Sequence, residues 1–119
     1  MEKVSLAAKF GLFTDHWSPK VVADVGESQV KLAKVQGEFV WHQHEHEDEL
    51  FWVVQGELTI ELRDGAVTLG PGELVVIPKG VEHRPVAREE VHLVLIEPRS
   101  TFHTGNVIDE RTVFEPERI

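Results

Sequence analysis

GELTIELRDGAVTL, residues 56–69, alternates with a period of two: Leu58, Ile60 and Leu62 fall on one face, and Thr59, Glu61 and Arg63 on the other. A strand with one dry and one wet side has this pattern. Asp64-Gly65 then predicts a tight hairpin turn into AVTL, because both residues tolerate positive φ. Working outward, KVVADV, QVKLAKVQ, EFVWHQH, ELFWVVQ, ELVVIP and EEVHLVLIEP are further short apolar or alternating runs, separated by turn signals around Gly26, Gly37, Gly56, Gly70-Pro71-Gly72 and Lys79-Gly80. No helical pattern of 10–15 residues lies between them, which argues against a parallel sheet and for an all-β antiparallel sandwich or barrel. The one helix signal is Ser5 as a cap for LAAKF, with Gly11 as its end.

The chain of 119 residues, 41% of them hydrophobic, is the size of one domain with a real core. A core barrel of about 20–98 and an extension of 99–119 divide it, and the extension is expected to wrap the barrel, cover a sheet edge or serve a partner chain. With 21 acidic against 12 basic residues, a net charge of −9 makes nucleic acid or an anionic membrane a poor partner and a cation a good one. The absence of cysteine excludes disulfides, thiolate zinc sites, iron–sulfur clusters and cysteine nucleophiles. The longest strictly apolar run, Leu50 to Val54, is far too short to span a membrane, and MEKVSLAAKFGLF lacks a signal peptide's apolar core, so a cytoplasmic protein is expected.

WHQHEHEDELF, residues 41–51, holds three histidines and four acidic residues. In strand geometry His42 and His44 share a face, and Glu49, at the start of ELFWVVQ, can fold back beside them if the two strands are neighbours. His16, His83, His92 and His103 are the candidates for a fourth ligand. His83 is the best placed, since it follows the Pro78-Lys79-Gly80 turn that ends one strand and precedes another. His46, Glu47 and Asp48 form the turn, with Glu45 as a further surface charge that concentrates cations. Three imidazoles and a carboxylate suit manganese, iron, cobalt, nickel, copper or zinc without separating them.

GEFVWHQHEHEDELFWVVQG resembles the first motif of the cupin family, with Gly37, His42, His44, Glu49 and Gly56 in its defining positions, and GELVVIPKGVEH resembles the second, with Gly72, Pro78, Gly80 and His83. The chain departs in having four residues between Gly37 and His42, where the family usually has five, and Ala87 where an asparagine is frequent. The resemblance implies an antiparallel jelly-roll barrel of six to eight strands, holding one divalent transition metal on His42, His44, Glu49 and His83 with positions open to water or substrate. Small members of the family pair through sheet edges, which implies a homodimer.

By alternation Phe51 shares a face with Glu49 and is expected to wall the pocket, whereas Trp52 points away; Trp41 and Trp52 are assigned to sheet packing or a dimer contact. Arg84, next to His83, is a candidate to meet an anionic substrate or to form a surface salt bridge. His92 shares a face with Val94 and Ile96, as a hydrogen-bonded core or interface histidine or as a pocket residue. The function expected is that of a metal-dependent enzyme, oxygenase-like or isomerase-like, on a small polar, oxygen-rich molecule. The alternative is a non-catalytic metal- or metabolite-binding or sensing module, and no general base is named.

Overall fold

A computed structural model describes residues 1–119. Ser5 caps α1 (Leu6–Phe10) by accepting the Ala8 N–H at 3.2 Å, and Gly11 ends it. Eight strands follow: β1 (Lys20–Val25), β2 (Ser28–Glu38), β3 (Glu49–Gln55), β4 (Leu58–Leu62), β5 (Gly65–Leu69), β6 (Leu74–Ile77), β7 (His83–Pro98) and β8 (Glu117–Arg118). The order β5-β4-β7-β2-β1-β8, with β3 between β6 and β7, closes a jelly-roll barrel in which every pairing is antiparallel except the short β1–β8 contact.

Strand alternation decides which side chains enter the barrel. Ala33 and Val35 of β2, Phe51 and Val53 of β3, Leu58 and Ile60 of β4, and Val91, Leu93 and Leu95 of β7 form one buried cluster inside. Their neighbours Leu32 and Val94 point outward, where Phe10 of α1 and Phe13 cover them in a second cluster. The helix is thus a lid on the outside of the β2–β7 pair, and no helix is long and apolar enough to cross a membrane.

Three local expectations are corrected. The β4–β5 hairpin turns on Arg63-Asp64, not Asp64-Gly65: Leu62 pairs with Gly65, and Gly65 is not among the residues with positive φ. The inward set sets that register, with Ile60 opposite Val67 and Leu58 opposite Leu69. Gly37 does not separate two strands but lies inside β2, at φ 91°, where the register with β7 shifts between Val35 and Gly37. EFVWHQH is not a strand either. β2 ends at Glu38, and the segment to Asp48 is irregular apart from one bridge between His42 and His83.

The C-terminal extension wraps the barrel and covers an edge. Its first part lies across the irregular segment, where the Gln43 N–H donates to Asn106 Oδ1 at 2.9 Å, the Asn106 N–H to Gln43 O at 3.0 Å, and Arg111 Nη1 to Glu38 O at 3.1 Å. Gly105, at φ 59°, passes so close that a Cβ there would collide with the Gln43 carbonyl oxygen. The chain then ends as β8 beside β1, with the Ile119 N–H bonded to Val21 O.

Candidate metal centre

His42 and His83 meet through their backbones: the His42 N–H donates to His83 O at 3.0 Å and the His83 N–H to His42 O at 2.9 Å. A further bond, Gly80 N–H to His44 O at 2.8 Å, fastens the next histidine to the turn before β7. Glu49 comes from the first residue of β3, which pairs with β6 and β7 and not with the histidine segment. The carboxylate and the histidines are therefore brought together across the barrel, not by two neighbouring strands. The result is one buried group, His42, His44, Glu49 and His83, with one potential ligand atom from each residue and all four within 4.8 Å of one another.

The rings of His42 and His83 are set by the same local device. His42 Nδ1 lies 2.9 Å from Val40 O, and His83 Nδ1 lies 2.9 Å from Val81 O. A carbonyl only accepts, so each Nδ1 carries the proton and each Nε2 is left with a free lone pair. Both Nε2 atoms are buried without a hydrogen-bond partner. His44 Nε2 and His83 Nε2 lie 3.1 and 3.6 Å from Glu49 Oε1. Burial, with His83 adding to it, pushes the His42 pKa down to about 4, so the ring is a neutral donor at ordinary pH. Unpartnered nitrogens and a buried anionic oxygen in one cluster fit a divalent transition metal.

Two charged residues that sequence reading passed over complete the interior. Lys31 shares a strand face with Ala33 and Val35, and Glu97 shares one with Leu93 and Leu95, so both enter the barrel. Lys31 Nζ donates to Glu97 Oε1 at 2.9 Å, and each residue is 1% exposed. Burial and the neighbouring Glu49 raise the Glu97 pKa well above the carboxylate range, against the pull of Lys31. Burial would raise Glu49 too, but the neighbouring Glu97, His44 and His83 outweigh it and hold Glu49 well below that range. Of the two carboxyls Glu97 thus keeps its proton, and Glu49 is the ionised member that faces the histidines. The available signal was a charged residue at an in-facing position on each of two strands.

A narrow cavity leads to this centre, with about 350 Å³ of empty space, its open mouth included. His42 and Glu49 stand among apolar walls that include Trp17, Phe39, Phe51, Leu93 and Leu95. His103, from the extension, is the remaining polar residue of the lining.

The other candidates lie elsewhere. Phe51 walls the cavity beside Glu49, while Trp52 is 39% exposed on the outside. Arg84 is outside the cavity, paired with Glu61 at 2.6 Å and Glu38 at 3.3 Å. Trp41 lies between Arg84 and Arg63, whose guanidinium sits 3.8 Å from the ring centre. His92 is also outside, because the alternation that sends Leu93 inward turns it out: it stacks on Phe10 with centroids 4.8 Å apart and bonds Glu90 at 3.0 Å. His16 meets the same Glu90 at 2.7 Å, and His46 is solvated beside Glu45.

Residues 28–98 match the family profile described as "Cupin domain". The fold is similar to a cupin-2 domain containing protein from Shewanella frigidimarina, with 53% identity, a TM-score of 0.80, and 81% of this chain and 94% of that one covered. It is also similar to protein NMB1881 from Neisseria meningitidis, with 32% identity, a TM-score of 0.75 and coverages of 82% and 99%. The protein YdbB of Bacillus subtilis is 41% identical over 64 residues, which are 53% of this chain and 57% of YdbB, so this chain spans little more than half of that relative. With the two motifs folded onto one barrel and more than half of its length matched, the chain belongs to the cupin family.

Proposed function

We propose that the chain is a small metal-dependent enzyme, oxygenase-like or isomerase-like, acting on a small ligand that presents oxygen atoms at one end. The observation that supports this reading is the meeting of three imidazoles and one carboxylate, all buried, beside an apolar cavity. His42 and His83 would hold a divalent manganese, iron, cobalt, nickel, copper or zinc ion through bare Nε2 atoms, with His44 and Glu49 completing the donor set. Such an ion supplies Lewis acidity and open positions for ligand oxygens.

The walls refine the expected ligand. Phe51, Leu93 and Leu95 offer no hydrogen bonds, so oxygen atoms belong at the metal end only and the rest of the molecule is apolar. The protein's own part is to desolvate this ligand and fix its orientation.

The test begins with elemental analysis of the purified chain, where about one divalent ion per chain is expected. The double variant His42→Ala, His83→Ala should lose it, and retention of stoichiometric metal there would overturn the reading. Oxygen uptake and carbonyl isomerisation are then measured with each reconstituted metal.

The apolar walls also favour a second reading, a binding or sensing module without turnover. Metal-dependent binding of small chelating ligands, with no turnover under any of the six metals, would select it.

A further inference from the structure

His103 belongs to no motif, yet the extension places it in the cavity with His42 and Glu49. It is 9% exposed, and its Nε2 is buried without a hydrogen-bond partner. Its ring stacks on Phe39 with centroids 5.4 Å apart, and Phe39 stacks in turn on Trp17 at 4.5 Å. Nε2 is thus a buried ring nitrogen with nothing to bond in the protein itself. A buried polar atom left unpaired is costly, so its presence calls for a hydrogen-bonding partner in the cavity.

Charge defines the ligand further. A dipositive ion on three neutral imidazoles and one carboxylate would leave a net positive charge, to which the buried Lys31 ammonium adds, and this suits an anionic oxygen chelator. The cavity adds an apolar wall and one unpartnered ring nitrogen.

The geometry points to His103 as the second anchor of the ligand: its unpartnered Nε2 hydrogen-bonds a hydroxyl on a small, short-tailed hydroxycarboxylate-type chelator whose oxygen end binds at His42, His44, Glu49 and His83. This rests on the metal reading above. His103 is a positioning residue, and the extension becomes part of the binding site, held in register by Asn106 on Gln43.

The test uses the full chain loaded with cobalt(II), whose visible absorption reports ligand binding, and compares 2-hydroxybutanoate with butanoate as probes. The wild type should prefer the hydroxy acid, and His103→Phe, which keeps an aromatic ring on Phe39, should reduce that preference about tenfold. His103→Gln, which retains a hydrogen-bonding group, should recover most of it, and both variants should bind cobalt as the wild type does. A preference within twofold of wild type in His103→Phe overturns the assignment while leaving the metal reading intact. Failure of the wild type to hold cobalt sinks the metal reading first, and failure of cobalt-loaded wild type to bind either probe overturns this ligand class alone.

Discussion

His42 and His83 exchange both of their backbone hydrogen bonds, at 3.0 and 2.9 Å, so two potential metal ligands from distant parts of the chain are fixed to each other before any ion arrives. Preorganisation of this kind makes metal binding a source of folding stability. Addition of a chelator should lower the melting temperature of the metal-loaded protein, and metal should restore it, with about 4 kcal/mol at stake at a thousandfold excess of free ion over Kd. His83→Ala should melt at the same temperature with and without chelator; a persistent difference in calorimetry would place the metal elsewhere.

Glu97 accepts a hydrogen bond from the buried Lys31 ammonium and neighbours Glu49. Glu97→Ala leaves the buried Lys31 ammonium without its hydrogen-bond acceptor and should cost about 3 kcal/mol in urea unfolding. It should also weaken metal binding by roughly 10–100-fold in a competition assay, because Glu49 loses its orienting partner. An unchanged metal affinity would reduce the pair to a structural role.

The pH dependence of the metal-free protein has two limbs of opposite sign. His42 takes up its proton near pH 4 in the folded chain against an ordinary 6.5, so the unfolded chain binds more protons between those values. Stability therefore falls as the pH drops from about 6.5 to about 4, by roughly 3 kcal/mol. Burial lowers His103 as well, which adds to the same limb. Glu97 acts in the other direction: its pKa is raised, so its contribution is full below the ordinary carboxylate value of 4.5 and is lost as the pH rises through the folded value. Glu97→Gln removes that second limb, and urea unfolding of this variant should show the histidine limb from about pH 6.5 downward, with the depressed Glu49 adding to the same loss below 4.5. A flat profile there between pH 6.5 and 4 would contradict the burial of His42 as a neutral ring.

Gly105 has a left-handed backbone and no room for a side chain against Gln43. Gly105→Ala should lift the extension from residues 43–44 with little change in barrel stability, since the core cluster does not include it. Limited proteolysis should cut the variant between residues 99 and 112 faster than the wild type, while the melting temperature moves by only a few degrees. Equal cutting rates would show that the tight fit is not what holds the segment down.

On the outside of the barrel, Trp52 of β3 stands opposite Leu74 of β6, with Val54 and Val76 beside them, all four exposed. This apolar face supports the expected homodimer. Sedimentation should find a dimer for the wild type and a monomer for Trp52→Glu, and a wild-type monomer at micromolar concentration would remove the expectation.

The fold was legible where one side of a strand is dry and the other polar, as in ELTIEL, because period two and burial then carry the same message. Ser5 and Gly11 bounded the helix for local reasons that need no tertiary information. The site was legible as a set of residue types, but not as geometry: His42 and His44 lie in an irregular segment whose shape depends on bonds to His83, Gly80 and Asn106. Lys31 and Glu97 were hidden because long charged side chains in alternating runs ordinarily face water. His103 was hidden because the extension takes its path from docking onto Gln43 and Glu38, contacts that leave no periodic trace in TFHTGNVIDERT.

β7 is hydrogen-bonded along most of its length, to β2 on one side and to β3 and β4 on the other. Its amide hydrogens should therefore exchange with solvent only when the whole molecule opens, whereas those of residues 101–112 should exchange through local detachment. His83 of β7 and His103 thus belong to two cooperative units with different opening free energies. Entry and departure of a small ligand can then run at the rate of the looser unit, without opening the tighter one.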